Sequence, residues 1–409
     1  MSSAITLKPE TVEIIRRTAP VLREHGQTIT TVFYRNMFGE HPELLNIFNI
    51  SHQKEGRQPR ALADTLIAAA EHIDRLEALT PAVLRIAHKH CSVLVPPEGY
   101  PIVGKHLLRA IKEVLGEAAT PEILNAWAEA YQVLADIFIK VEEDIYHQKE
   151  TVPGGWRGWR PFTVIRKVKE SENITSFWLK PTDGGSVPAY RPGQYISVKA
   201  DIPGESITHI RQYSLSDAPG KSHFRISVKR EDARGDLPAG IVSNWLHSQI
   251  GEGDVLLLSP PVGDFFLDEE KETPVVLISG GVGLTPLVSM LNTLVESGSK
   301  RPITYIHAAV NGKVHAMKDH LREVAEKHDH IRYFVCYEKP TEEDRQTGAF
   351  DKEGFIDRTW LEQIIKDKDA DFYFCGPVPF MKAIKTALTE MGIPADRIHY
   401  EFFGSALQI

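Results

Sequence analysis

Cysteine is almost missing from this chain. Three occur, Cys91, Cys336 and Cys375, and none forms a CxxC pair. A disulfide-dense secreted scaffold is therefore excluded, and isolated thiols suit a reducing cytosol, so a cytoplasmic location is expected. An excess of positive charge is also missing. Lys+Arg number 47 against 55 Asp+Glu, net −8, divided as −4 over residues 1–150 and −4 over the rest. Neither part offers the basic patch that nucleic acid requires. No apolar run approaches the ~18 residues that span a bilayer, so no transmembrane segment is expected. The start, MSSAITLKPETVEII, lacks a basic stretch followed by an apolar core, so no signal peptide is predicted. Internal repeats and low-complexity tracts are lacking as well, and no stripe marks a partner surface; a monomer is expected.

What remains is ordinary globular composition, 42% hydrophobic and 25% charged over 409 residues. At ~150 residues per domain this implies about three units. The first 147 residues carry apolar residues at helical spacing: Ile29, Phe33, Met37; Leu62, Leu66, Ala69; Trp127, Tyr131, Leu134, Phe138. Thr120-Pro121-Glu122 reads as an N-cap, a first-turn proline and a first-turn acid. An all-α domain over 1–147 follows. Residues 148–160, which include Val152-Pro153-Gly154-Gly155, read as a linker.

From 161 to 268 the pattern becomes short alternating runs: Phe162–Lys169, Ile174–Lys180, Gln194–Ala200, Arg211–Leu215, Phe224–Lys229 and Asp254–Leu258, with one helix at Ile241–Gln249. This predicts an antiparallel β-barrel. From 269 to 409, continuous apolar runs at Pro274–Ser279, Ile303–Ala309, Ile331–Tyr337 and Asp371–Cys375 alternate with helical stretches near 285–297, 315–327 and 377–391. That is the pattern of a doubly wound parallel α/β domain.

Several residues break the rules of their own stripes. Val83, Ala87, His90 and Leu94 fall on one helical face, which puts an imidazole on an apolar stripe. The last long helix runs Tyr131, Leu134, Phe138, Glu142, Ile145. A carboxylate at a buried position costs several kcal/mol unless it is bonded. The imidazole N–H is its natural partner, and Tyr100, after the Pro96-Pro97-Glu98-Gly99 turn, supplies a third member. A carboxylate-oriented histidine is the arrangement found behind a metal ligand. Tyr34, on the Thr30, Tyr34, Phe38 line, Gln58 and Phe48 are compatible with plain packing when taken singly.

In the barrel, Arg211-Gln212-Tyr213-Ser214 follows Tyr190-Arg191-Pro192-Gly193. It combines a cation for a pyrophosphate, a flat aromatic and a hydroxyl donor. Gly240-Ile241-Val242-Ser243-Asn244 opens a helix whose free N–H groups suit a phosphate. In the last domain, Gly280-Gly281-Val282-Gly283-Leu284-Thr285-Pro286 is a strand–turn–helix junction, with Thr285 expected as the cap and Pro286 as the first helical residue. Pro286 stands where the usual dinucleotide fingerprint has its third glycine, and no acid ends the next strand, so an ordinary Rossmann dehydrogenase is disfavoured. Cys375-Gly376-Pro377 forms a second such junction.

The helical domain, with FYRNMF, PELLNIF, Gln58 and HKH ending at His90, resembles a bacterial-type globin. The RQYS, glycine-turn and Cys-Gly-Pro motifs resemble the ferredoxin-reductase family. In this order along the whole chain they resemble the flavohemoglobins. The resemblance implies haem b iron held by His90, with Tyr100 and Glu142 as its relay. It implies Tyr34 and Gln58 as distal polar groups, Leu62 as the apolar residue over the iron, Phe48 at the haem corner and Lys89 before the ligand. It further implies FAD at Tyr190, Arg211, Gln212, Tyr213, Ser214, Gly240, Val242 and Ser243. NADH or NADPH would lie at Gly281, Val282, Gly283, Leu284, Thr285, Pro286, Cys375, Gly376 and Pro377. The tail Tyr400-Glu401-Phe402-Phe403-Gly404 would be a terminal strand that sets Phe403 over the flavin, with Glu401, Phe402, Gly404 and Ser405 also at the cofactors. The implied activity is nitric oxide dioxygenation: NO and O2 to nitrate, with electrons from NAD(P)H through FAD to haem. No basic clamp for a 2′-phosphate is visible, which favours NADH. An oxygen-binding or sensing globin with its own reductase, and a flavin or haem reductase serving another acceptor, are the alternatives.

Overall fold

The computed structural model describes residues 7–48 and 56–404. Among them, the helical domain contains α1 (Pro9–Glu40), α2 (Arg57–Glu71), α3 (Thr80–Val93), α4 (Gly99–Leu115) and α5 (Pro121–Thr151). Ile15, Ile29, Phe33 and Met37 of α1 are fully buried, packed with Leu66 of α2, Leu107 of α4 and Trp127 of α5. Each such side chain contributes about 1.5–3 kcal/mol. Thr120 does cap α5, accepting from the Ile123 amide at 3.3 Å. The helix also continues beyond residue 147 to Thr151, whose hydroxyl donates to His147 O, and ends only before the Pro153-Gly154 turn. The chain expected to start a linker at 148 is therefore helical for its first turn, because Gln148-Lys149-Glu150 are good helix formers.

The second unit opens with six antiparallel strands: β1 (Arg160–Lys169), β2 (Ile174–Pro181), β3 (Tyr195–Ala200), β4 (His209–Ser214), β5 (Phe224–Lys229) and β6 (Val255–Leu258), in the order β4-β3-β6-β1-β2-β5. The two edges meet: Leu215 bridges Ile226, and the Ser216 amide donates to Arg225 O at 2.8 Å. That contact closes the sheet toward the barrel read from the sequence. Helix α6 (Ile241–Gln249) has the predicted bounds.

The following domain is an all-parallel sheet of β7 (Val275–Gly280), β8 (Ile303–Ala309), β9 (Ile331–Tyr337), β10 (Lys352–Glu353), β11 (Asp371–Cys375) and β12 (Ile398–Glu401), ordered β10-β9-β8-β7-β11-β12. Its helices are α7 (Leu284–Glu296), α8 (Lys318–Lys327), α9 (Glu342–Thr347), α10 (Arg358–Ile364) and α11 (Val378–Glu390). Apolar clusters cover both faces, Leu277, Leu287 and Tyr373 on one side and Ile278, Phe374 and Met381 on the other. Strand order reverses at β7, so the C-terminal ends of β7 and β11 border the crevice where such sheets bind ligands. The short α9, β10 and α10 were not anticipated; six, two and seven residues long, they carry too little periodicity to be read. The terminal strand stops at Glu401, so Phe402, Phe403 and Gly404 lie beyond it, and Ser405 lies outside the described residues.

Candidate functional site

His90 sits in the last turn of α3. That helix ends at Val93, and Leu94, expected on its stripe, is instead the cap, in the left-handed region at φ 56 with its amide on Cys91 O. Val95 N bonds His90 O at 3.1 Å, completing a Schellman-type stop. The reversal carries the chain through Pro96-Pro97 into α4, whose second residue is Tyr100. Glu142 arrives from α5, which packs along both α3 and α4.

The three side chains meet. His90 Nδ1 lies 2.7 Å from Glu142 Oε1 and 3.1 Å from the Tyr100 hydroxyl, which itself donates to Glu142 Oε1 at 2.5 Å. Glu142 is 3% exposed, and a carboxylate buried so deeply is tolerable because both neighbours donate to it. Burial first, and then the Glu142 charge, push the Tyr100 hydroxyl well above its ordinary range, so it stays a donor. A carboxylate oxygen accepts, so Nδ1 is the ring nitrogen that donates and Nε2 is the one available to a metal. This is the donor form in which histidine holds a metal, and the residues fit a haem iron. The His90 side chain remains 34% exposed, and Val83, Phe138, Phe48, Leu62 and Gln58 are also only partly covered.

Two residues not singled out from the sequence set this geometry. The Tyr131 hydroxyl donates to Tyr100 O at 2.6 Å, and its ring lies so close to Gly104 that an added Cβ there would be 2.6 Å from the ring. Tyr131 had been read only as part of an apolar stripe. Tyr34 is buried in an aromatic group, its ring 4.8 Å from Phe33, 5.6 Å from Phe38 and 5.8 Å from Phe48. Lys89 is partly buried beside His90 in sequence.

In the barrel, Arg211 and Tyr213 share a face of β4, Gln212 between them is half-buried and Ser214 is buried. Burial lowers the Arg211 pKa and raises that of Tyr213, and each counteracts part of the other's shift. A half-buried guanidinium beside a phenol is a donor set suited to a pyrophosphate and a planar ring. Gly240 is the N-cap of α6 with Val242 and Ser243 in its first turn; the Ser243 hydroxyl accepts from Glu231 N at 3.1 Å, leaving the first-turn amides as the anion-facing groups. Tyr190 is buried, 7% exposed, and its hydroxyl donates to Asp217 O at 2.6 Å.

Asp217 was missed altogether. Its carbonyl also accepts from Ser289 at 2.6 Å, and its carboxylate accepts from Asn292 at 2.9 Å and Lys221 at 2.8 Å. Burial acts to raise its pKa, yet Arg225, Lys221 and Asn292 together hold it below the usual range. Ser289 and Asn292 lie on α7, the helix opened by the glycine turn, so this node joins the barrel to that helix.

The glycine turn and the Cys-Gly-Pro segment meet through adjacent strands, with Cys375 opposite Ser279. A Cβ on Gly283 would stand 2.2 Å from Cys375 O and 2.7 Å from Gly376 N, so only glycine allows this approach. Gly281 adopts φ 54. The cap differs from expectation: a 3₁₀ turn, Gly281–Gly283, starts the coil early, Leu284 is already helical, and the Thr285 hydroxyl donates to Val282 O at 3.1 Å instead of capping. Pro286 follows inside the first turn. Burial and the nearby Glu401 push the Cys375 thiol far up, which leaves it inert. Pro377 and Phe403 are exposed, Phe403 at 40%, and Phe402 is half-buried.

Comparison with known proteins agrees with each domain. Family models describe residues 31–138 as Globin, 161–267 as an oxidoreductase FAD-binding domain and 277–386 as an oxidoreductase NAD-binding domain. A flavohemoprotein from Halalkalibacterium halodurans is 57% identical over 404 residues, covering 99% of this chain and 98% of its own. The chain belongs to the flavohemoprotein family. The crystal structure of flavohemoglobin from Malassezia yamatoensis with bound FAD and heme is similar at a TM-score of 0.84 and 28% identity, over 97% of this chain and all of that one. The flavohem-like FAD/NAD-binding domain of nitric oxide dioxygenase from Vibrio cholerae matches with TM-score 0.55 and 39% identity, over 61% of this chain and all of that one. This flavohemoprotein is thus an oxidoreductase built of globin, FAD-binding and NAD-binding domains. Among its described residues no helix is long and apolar enough to cross a membrane.

Proposed function

We propose that this flavohemoprotein is a nitric oxide dioxygenase, a detoxifying enzyme that turns two NO and two O2 into two nitrate ions for each NAD(P)H oxidised. Atoms and charge balance with one NAD(P)+ and one proton as the other products. When bound, nicotinamide supplies a hydride, FAD divides its electron pair into single electrons, and haem iron supplies the site where the two gases react. The observation that carries the reading is the Glu142–Tyr100–His90 cluster. A storage globin gains nothing from a buried carboxylate aimed at its histidine, whereas oxygen activation gains from a strongly electron-releasing one.

The chain's own residues perform the remaining tasks. His90 Nε2 holds the iron, while Glu142 keeps the proton on Nδ1 and the ring in place. Tyr34, with Gln58, would supply the hydrogen-bond donors for the gas-binding side of the haem, where a prearranged donor in a dry pocket is most effective. Phe48 and Leu62 exclude water from that space. Arg211 and the first turn of α6 bind the flavin pyrophosphate, and Tyr213 and Ser214 orient its ring. The Gly281–Gly283 turn at the start of α7 binds the nicotinamide cofactor's pyrophosphate, and Cys375-Gly376-Pro377 borders the ring it presents. Phe403, exposed beyond the terminal strand, would be the aromatic side chain against the flavin ring.

The test is nitrate yield against NADH consumed under aerobic NO. Two nitrate per NADH is expected. NADH oxidation that yields peroxide and no nitrate would refute the reading in favour of an oxidase or reductase.

A further inference from the structure

The helical domain holds a second cluster of donor atoms, which shares no residue with the His90 cluster. Glu40 ends α1, His41 is its C-cap, and His106 lies on α4. One ring nitrogen from each histidine and one Glu40 carboxylate oxygen all lie within 4.8 Å of one another. His106 is the decisive member. It is 0% exposed, neither ring nitrogen has a hydrogen-bond partner, and Nε2 faces Glu40 Oε2 at 3.6 Å, too far for a good hydrogen bond. A fully buried imidazole without partners is costly, and a bound cation removes that cost.

The other two members are already oriented. His41 Nδ1 lies 3.1 Å from Glu43 Oε1, and the His41 ring stands edge-on to His106 with centroids 5.5 Å apart. Glu40 Oε1 is held by Arg109, one turn beyond His106 on α4, which leaves Oε2 available. Carboxylates and cations that fix the far side of each ligand are the usual surroundings of a metal site. The C-terminal end of α1 adds the negative end of its dipole.

We propose that Glu40, His41 and His106 bind one divalent ion of the zinc class, with solvent as the fourth ligand. Two imidazoles and one carboxylate suit zinc, copper or nickel; magnesium and calcium demand oxygen shells. Tetrahedral bonds of about 2.0–2.2 Å place ligand atoms roughly 3.3 Å apart, so the donors close inward by up to about 1.5 Å. Exposed Glu40 and half-buried His41 make that adjustment around a fixed His106. Arg109 and Lys105 add positive charge beside Glu40 and hold the affinity below that of a closed structural site. The ion joins the end of α1 to α4 and steadies the Pro42–Asn46 turn that leads to Phe48.

The test strips the holoprotein with a chelator and titrates zinc in competition with a chromogenic chelator, beside a Glu40→Gln/His41→Ala double variant whose altered side chains lie outside the core. Wild type should hold one zinc per chain more than the variant, and zinc should raise its Tm alone. Glu43→Gln, which removes only the orienting carboxylate, should weaken the site about tenfold. Equal zinc stoichiometry and affinity in wild type and double variant, or no bound zinc in either, overturns the assignment.

Discussion

Glu142→Gln separates charge from shape at the His90 cluster. Oε1 of Glu142 accepts from the Tyr100 hydroxyl at 2.5 Å and lies 2.7 Å from His90 Nδ1. Glutamine keeps the volume and an acceptor oxygen, removes the charge and puts an NH2 donor in place of the second oxygen. A hydrogen bond to a charged group contributes roughly 1.5–3 kcal/mol and a neutral one about 1 kcal/mol, so the bond to His90 loses roughly 0.5–2 kcal/mol. That loss falls mainly on ferric iron, the state that draws most electron density from the imidazole. Since 1.4 kcal/mol corresponds to 59 mV for one electron, the haem midpoint potential should rise by about 20–90 mV. Spectroelectrochemical titration of the Soret band measures it, with Tm as the check on folding. Tyr100→Phe is the companion. It removes a competing donor and leaves the whole carboxylate charge for His90, so its potential should stay level or fall. A midpoint for Glu142→Gln that matches wild type, or a rise of equal size in both variants, would refute the electronic role and leave only packing.

Three further outcomes are expected. Tyr34→Phe should release O2 about ten- to a hundredfold faster and lower NO-dependent turnover, because a hydrogen bond to a charged group contributes roughly 1.5–3 kcal/mol; an unchanged O2 off-rate in flash photolysis would sink the distal role. Gly283→Ala puts a methyl group 2.2 Å from Cys375 O, backbone that cannot yield, so NADH should no longer reduce the flavin while the haem and flavin spectra persist; normal stopped-flow reduction would contradict the turn's part in binding. Burial lowers the His307 pKa to about 3, with Nδ1 on Ser279 at 2.7 Å. The folded imidazole is neutral while the unfolded one is protonated below about pH 6.5, so its contribution is intact above that value and is lost as pH falls toward 3. The loss is about 2 kcal/mol by pH 5. His307→Asn should therefore narrow the gap between urea midpoints of the nicotinamide domain at pH 7.5 and pH 5, and parallel shifts in both proteins would refute it.

Much of the fold was legible because period and punctuation agree over long segments. Ile303–Ala309, Ile331–Tyr337 and Ile241–Gln249 have the bounds expected from their apolar runs. The misplacements have local causes. Thr285 lost the cap because a glycine-rich 3₁₀ turn had already begun the coil, and Leu94 became a left-handed cap where continued helix had been read. In both places the backbone turned earlier than side-chain pattern alone can indicate. Tyr190 shows what pattern alone does not carry: its position beside the Arg-Pro-Gly turn is legible, and only three-dimensional packing reveals that its hydroxyl donates to Asp217 O.

Glu142 and Asp217 define what a single sequence can and cannot disclose. Both are buried carboxylates held by several donors. Glu142 was found because it interrupts an apolar helical stripe, a violation whose cost demands a partner, and a histidine on another stripe met that demand. Asp217 sits in Leu215-Ser216-Asp217-Ala218, a turn where an acid violates nothing, and its partners Ser289 and Asn292 lie on a helix buried on every side, without a polar face to mark them. A site that performs chemistry keeps groups where packing alone would not place them, so it leaves discords in the pattern. A joint that holds two domains together satisfies every rule locally and leaves none. The His90 cluster of this flavohemoprotein is therefore legible in the sequence sooner than the contacts that hold α7 against the barrel.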